Sequence, residues 1–254
     1  MDGVINMVSQ RFMDQVVFIS GGAGGMGQVH ARRFAEEGAH VLVADLNEEA
    51  GRALAEELGP RAAFLHLDVT QEQSWRDAVT DAESRFGPIS VLVNNAGIVG
   101  GGFIDEMEPS LFRRIMEINH TGAFLGIRAV CPSMRKAGGG SIINISSVTG
   151  LAPVPVLAAY TASKHALVGL TKVAALDLAR HGIRVNCVNP GIIDTGMLGD
   201  VDAIIPRRQP IPRIGKPDEV TNMVMFLASD QAAFCTGATY VIDGGFLAVV
   251  GDAT

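Results

Sequence analysis

The chain has 254 residues, 48 % of them hydrophobic, enough to furnish the core of one large α/β domain. Lys and Arg number 20 against 27 for Asp and Glu, and the resulting net charge of -7 argues against an electrostatic affinity for nucleic acid or anionic membranes. No run reaches the roughly 18 unbroken apolar residues of a membrane span. The start, MDGVINMVSQRFMDQ, has no basic stretch followed by an apolar one. Cys131, Cys187 and Cys235 are odd in number and far apart, which suits small buried hydrophobes in a reducing compartment, so the cytoplasm is the expected location.

In chain order, short Val- and Ile-rich runs alternate with longer amphipathic segments, the pattern of a parallel sheet covered on both faces. The runs are QVVFIS ending at Ser20, HVLVAD at Asp45, AAFLHLD at Asp68, VLVNNAG at Gly97, SIINISS at Ser147, IRVNCVNPG at Gly191 and TYVIDGG at Gly245. Helices are expected between them, such as QVHARRFAEEG, stopped by Gly38, and NEEAGRALAEELGP, stopped by Gly59-Pro60. The expected fold is a single α/β domain over 1–254, a doubly wound (Rossmann) seven-stranded parallel sheet with helices on both faces. One segment breaks the rhythm: 192–219 carries Pro206, Pro210, Pro212 and Pro217 without a period, and a substrate lid is expected over about 192–217. Ligands of such folds bind outside the carboxyl ends of the strands, where the polar strand ends lie.

Between the first run and the first helix, SGGAGGMG places Gly21, Gly25 and Gly27 where backbone must turn sharply or approach something closely. The helix N-terminus beyond offers unpaired N–H groups and partial positive charge to a pyrophosphate. A tight turn without a ligand would read the same way. Asp45, 18 residues past Gly27, ends the next strand where a carboxylate can accept hydrogen bonds from the adenosine ribose. A 2′-phosphate would meet a like charge there, and no Lys or Arg lies in Gly21–Gly27, so NAD(H) is the expected cofactor. The competing role for Asp45, capping the next helix, can be filled by Asn47.

Further on, Tyr160 and Lys164 are four apart in an expected helix and so share one face. A free phenol with a pKa of about 10 is a poor base at neutral pH; a nearby ammonium is expected to lower that value and make Tyr160 a general acid/base for an alcohol/ketone pair. A solvated helix face would have the same spacing. The six histidines show no metal-ligand spacing with one another or with the cysteines, and no metal is expected.

The chain as a whole resembles the single-domain short-chain dehydrogenase/reductase family. The likeness is carried, in order, by the glycine turn, NNAG at Asn94–Gly97, ISS at Ser146 and Ser147, YxxxK at Tyr160 and Lys164, PGxxxT from Pro190 to Thr195, and DGG at Asp243. It implies that Ser147 hydrogen-bonds the substrate oxygen, Tyr160 exchanges its proton, Lys164 holds the nicotinamide ribose, and Asn119 holds a water linking Lys164 to solvent. It further implies a cofactor cleft made by Ser20, Gly21, Gly25, Met26, Gly27, Asp45, Leu46, Asp68, Val69, Asn95, Ala96, Gly97, Tyr160, Lys164, Pro190, Gly191, Ile193 and Thr195, and a homotetramer. Two departures stand out: Ser20 replaces the usual Thr, and His120 follows Asn119 in place of an apolar residue.

The stretch VTGLAPVPVLAA after Ser147, with Met197, Leu198, Val201, Ile204 and Ile205, promises an apolar pocket around one polar anchor. That suits a small hydrophobic ketone or alcohol, and the branch resembled is that of NAD-dependent hydroxysteroid dehydrogenases. A 3-oxoacyl-carrier-protein reductase is the alternative, with Arg207, Arg208, Arg213 and Lys216 meeting an acidic carrier; a dinucleotide-binding scaffold without catalysis is the third.

Overall fold

A computed structural model of the chain describes residues 10–196 and 209–248. Met197, Leu198, Val201, Ile204, Ile205, Arg207 and Arg208 lie outside the described residues. Seven strands form one parallel sheet: β1 (Val16–Ser20), β2 (His40–Asp45), β3 (Ala62–His66), β4 (Val91–Asn94), β5 (Gly140–Ile145), β6 (Ile183–Pro190) and β7 (Thr239–Ile242). Their order is β3-β2-β1-β4-β5-β6-β7, so the chain winds outward from β1 to β3 and then returns to the other side of β1. Ser20 ends β1 in register with Asn94 at the end of β4, and between those two ends the winding reverses.

Strand alternation distributes the apolar side chains to both faces. Phe18, Leu42, Leu92 and Ile142 pack on one face with Trp75 of α3 (Glu72–Phe86) and Val130 and Met134 of α5 (Gly122–Lys136). Val17, Ile19, Val43, Val93 and Ile143 pack on the other with Phe34 of α1 (Gly25–Glu36), Leu54 of α2 (Glu48–Leu58) and Val224 of α7 (Pro217–Ala228). The remaining helices are α4 (Pro109–Met116) and the 21-residue α6 (Ala158–Leu178). A π-helical turn over Glu117–Thr121 joins α4 to α5, a local irregularity of the kind that collects at functional sites.

Several strands stop short of the apolar runs. The run ending at Asp68 leaves the sheet at His66 because the Asp68 carboxylate turns back to the N–H and hydroxyl of Thr70 at 2.9 and 2.7 Å. The NNAG and ISS runs likewise end their strands at Asn94 and Ile145, and their last residues form the rim of the sheet. Gly59 closes α2 at φ +82°, as its stop signal predicts.

Between α1 and α7, His30 is fully buried, its Nδ1 2.8 Å from Thr221 Oγ1. The Thr221 hydroxyl gives its proton to the Pro217 carbonyl at 2.9 Å, so His30 donates from Nδ1, while Nε2 has no partner among the described residues. Burial pushes its pKa down from 6.5 to about 3. The unfolded chain therefore binds a proton that the folded chain refuses between those values, and stability falls as pH drops through that window while remaining full above 6.5. Urea midpoints measured from pH 7 to pH 4 are expected to fall less steeply in His30→Gln than in the parent; parallel curves would contradict the assignment.

Candidate active site

The carboxyl ends of the strands open onto a cavity of about 760 Å³. Its lining runs from the ends of β2 and β3 past β1, β4 and β5 to the end of β6, about 24 Å across the sheet at the usual strand spacing. Of the residues expected in the site, Gly21, Gly25, Met26, Asp45, Leu46, Asp68, Val69, Asn95, Ala96, Gly97, Ser147, Tyr160, Lys164, Pro190, Gly191, Ile193 and Thr195 all line it. Ser20, Gly27 and Asn119 do not, and each supports the wall from behind.

The glycine turn is held by its neighbours. Gly21 has φ +63°, and a Cβ there would lie 2.7 Å from the Cα of Ala96. A Cβ on Gly27 would overlap the Gly21 carbonyl oxygen, which accepts a hydrogen bond from Asn95 Nδ2 at 2.8 Å. Ser20 Oγ accepts the N–H groups of Asn95 and Ala96 at 3.2 and 3.3 Å, so the hydroxyl that replaces the usual Thr binds β1 to the end of β4. Gly24 precedes α1, lines the cavity and has nothing within 4 Å of an added Cβ. No side chain caps the first turn of α1 and no acid sits in it. Bare backbone and a helix N-terminus thus face open space, and these residues fit a pyrophosphate. Gly24 was invisible in sequence because its neighbours satisfied the glycine spacing without it.

Both oxygens of Asp45 are engaged, Oδ2 by the N–H of Ala23 at 3.0 Å and Oδ1 by that of Asn47 at 2.9 Å. The cap of α2 is Asn47, whose Oδ1 accepts from Ala50 at 3.1 Å. Asp45 is therefore left on the cavity wall, with the glycine turn fastened to it.

At the other end, Ser147 follows β5 and begins a 3-10 turn over Val148–Gly150, its Oγ accepting the N–H of Thr149 at 3.2 Å. Ser147 also stands by the Tyr160 phenol and acts to lower its pKa. Lys164 sits one turn after Tyr160 on α6, with Nζ donating to the Ile145 carbonyl at 2.8 Å and lying 5.5 Å from the Tyr160 ring centroid. The pKa directions differ from the spacing argument. Burial raises the Tyr160 phenol above its ordinary value, with Ser147 opposing, and the Lys164 ammonium is turned to a main-chain carbonyl. Burial also lowers Lys164 from 10.5 to about 8.

Asn119, in the π-helical turn, exchanges two bonds with the main chain of Ile98 at 2.8 and 2.9 Å and donates to Ser163 Oγ at 3.1 Å, tying that turn to α6. A Cβ on Gly97 would lie 3.3 Å from Asn119 Oδ1 and 3.5 Å from Lys164 Nζ, so the two groups meet behind that glycine. Apolar walls come from Val148, Val154 and Leu157 of the stretch expected to supply them, from Ile192 within PGxxxT, and from Ile98, Val99 and Phe246, which no motif marked. Among the described residues, no cluster of three His, Cys, Asp or Glu side chains could hold a metal ion.

A family model described as Enoyl-(Acyl carrier protein) reductase matches residues 21–247. The chain is 47 % identical to a 3-alpha-(or 20-beta)-hydroxysteroid dehydrogenase of Mycobacterium tuberculosis, over 95 % of this chain and 92 % of the relative. It is 45 % identical to a trans-4-hydroxycyclohexanecarboxylate dehydrogenase of Sinomonas cyclohexanicum, over 95 % and 96 % of the two chains. With a cyclopentanol dehydrogenase of Comamonas testosteroni it shares 44 % identity over 94 % and 99 %.

A buried ammonium with one main-chain acceptor is costly at neutral pH. Because the folded pKa of Lys164 is lowered, stability is gained as pH rises from about 8 towards 10.5, where the unfolded chain still holds the proton. Lys164→Met is expected to melt above the parent at pH 7 and to lose that advantage by pH 10; a lower melting temperature for the variant at both pH values would contradict this account.

Proposed function

The chain belongs to the short-chain dehydrogenase/reductase family, and on that premise we propose that it is an NAD-dependent dehydrogenase of hydrophobic secondary alcohols, hydroxysteroids or bulky cyclic alcohols among them. It is an oxidoreductase that acts on CH–OH donors, interconverting alcohol and ketone with a nicotinamide cofactor. The observation that carries the finer reading is one cavity lined both by the glycine turn with Asp45 and by Ser147, Tyr160 and Lys164.

A bound nicotinamide supplies the hydride acceptor or donor at the carbinol carbon. The chain's own part is to hold and move the proton. An alcohol oxygen between Ser147 and Tyr160, which line the same cavity, meets a polarising hydroxyl and a phenol oxygen that can exchange its proton. Lys164 brings positive charge beside the ring, and Asn119 secures the π-helical turn behind it, where the proposed water would connect Lys164 to solvent. Gly21, Gly24, Gly25 and Met26 would receive the pyrophosphate, Asp68 and Val69 the adenine, and Ile193 and Thr195 the carboxamide.

Asp45 on the wall, with no basic side chain in the glycine turn, favours the ribose hydroxyls of NAD over a 2′-phosphate. The carrier-protein alternative has less support: the Arg213 guanidinium is committed to Glu219 at 2.6 and 2.8 Å, and the named relatives of near-equal length are alcohol dehydrogenases.

A homotetramer in the cytoplasm completes the reading. Phe124 on α5, Val173 and Leu176 on α6, and Phe234 and Val241 near the edge strand β7 are apolar and exposed on the single chain. These exposed residues on α5 and α6 and near β7 support an assembly through those elements. The three cysteines are unpaired. No described helix is long and apolar enough to cross a membrane.

Three measurements test the proposal. A panel of hydroxysteroids, cyclic alcohols and acyl thioesters run with NAD and NADP in parallel should give turnover with the alcohols and NAD, and Tyr160→Phe should lose turnover by about a thousandfold with NADH binding retained. Preference for NADP, or a variant near normal rate, would overturn it. Light scattering should return four times the chain mass, and a monomer would contradict the assembly.

A further inference from the structure

Thr149 lies in the 3-10 turn after β5 and lines the cavity, yet only 5 % of its surface is exposed, and its Oγ1 is itself buried and without a hydrogen-bond partner among the described residues. A buried hydroxyl without a partner is uncommon and costs stability in the unliganded protein. The turn that carries it is held by hydrogen bonds. Its first residue, Ser147, has its carbonyl bonded by Asn189 Nδ2 at 2.6 Å, and the Thr149 N–H is spent on Ser147 Oγ at 3.2 Å. That bond also brings the two hydroxyls together, because backbone geometry keeps a threonine oxygen within about 3.5 Å of its own nitrogen. The Ser147 and Thr149 oxygens are thus within about 7 Å, a gap that two neighbouring substrate oxygens span with one hydrogen bond at each end. A single χ1 step exchanges the hydroxyl and methyl of a threonine, and no internal acceptor holds the Thr149 hydroxyl back. Val148, Val154, Leu157 and Phe246 line the same cavity without a side-chain donor, and Arg114 and Thr195 are further donors in that lining.

We propose that the Thr149 hydroxyl is a second polar anchor of the substrate pocket. The substrates it selects are cyclic alcohols with another oxygen beside the reacting carbon, vicinal diols and their α-hydroxyketones. The proposal rests on the dehydrogenase reading above and narrows its substrate class.

The experiment compares the parent chain with Thr149→Val and Thr149→Ser, using NAD with cyclohexanol, cis- and trans-cyclohexane-1,2-diol and a hydroxysteroid, and records melting temperatures without substrate. The parent is expected to favour one of the diols over cyclohexanol in kcat/KM. That ratio should fall about tenfold in the Val variant, the worth of one hydrogen bond, and return in the Ser variant. The Val variant should melt at or above the parent, since it removes an unpaired buried hydroxyl of nearly equal volume. An unchanged ratio, or a melting temperature several degrees lower, overturns the proposal, the latter because it reveals an internal partner. Turnover of the hydroxysteroid with neither ring alcohol nor diol oxidised also overturns it and leaves the dehydrogenase reading standing. No turnover of any substrate overturns both.

Discussion

The close approach of the glycine turn to the end of β4 is the contact on which the rest of the site depends. Gly21 lies against Ala96 with no room for a side chain, its carbonyl takes the Asn95 amide, and Ser20 takes the next two main-chain N–H groups. These bonds join two strands that became neighbours only because the chain reversed its winding at this point. They keep the ends of β1 and β4 level while the loops beyond them part to opposite faces, which is how a parallel sheet acquires a crevice. Asp45 extends the same arrangement to β2, since its carboxylate holds Ala23 within the turn.

A second constraint runs under the cavity through the core. Asn94 on β4 donates to Asn144 on β5 at 2.8 Å, and Asn144 donates to Thr171 on α6 at 2.9 Å. Buried amides in an apolar sheet are tolerable only when paired, so each bond restrains the next. Thr171 stands seven residues beyond Lys164 on α6, two turns along the same side. The network therefore fixes the axial position of the helix that carries Tyr160 and Lys164. The burial that makes this precision possible also moves both titrating groups away from their charged forms, the phenol upward and the ammonium downward. Proximity of charge, the quantity that residue spacing reports, is outweighed here by loss of water.

This difference explains what was legible in the chain and what was not. The strands and their cores follow from short, continuous Val- and Ile-rich runs, and 17 of the expected site positions line one cavity because strand ends are polar for a reason visible in one dimension. Ser20, Gly27 and Asn119 carry recognisable motif chemistry but stand behind the wall, since a motif marks which residue matters and not which layer it occupies. Gly24 and Thr149 were missed for opposite causes. A fifth glycine in a turn has no distinguishing neighbour in sequence, and an unpaired hydroxyl is a property of the packed state alone. DGG is a similar case: Gly244 and Gly245 leave the space into which Gln209 and Pro210 fit, a contact across more than 30 residues of chain.

The two halves of the cavity rest on different physics, and this bears on how specificity is set. The half near β2 and β3 is made of backbone groups and polar strand ends anchored in the sheet, so it tolerates little change. The half beyond Ser147 is made of side chains on connections: the 3-10 turn, the Val154–Leu157 stretch, and the stems of the 192–217 segment, which are stitched together where Asp194 donates to Gly215 and Gly215 to Ile192, both at 2.9 Å. Gln209 reinforces the returning stem through the carbonyls of Ile211 and Arg213 at 2.7 and 2.9 Å. Loop side chains on a rigid rim can vary without disturbing the sheet bonds that hold Tyr160 and Lys164. Apolar walls alone discriminate weakly between rings of similar size, by about 1–3 kcal/mol per methylene, whereas a buried hydroxyl that is satisfied by one ligand and stranded by another discriminates through the partner it lacks. Selectivity within such a pocket is therefore carried more by its few polar groups than by its volume.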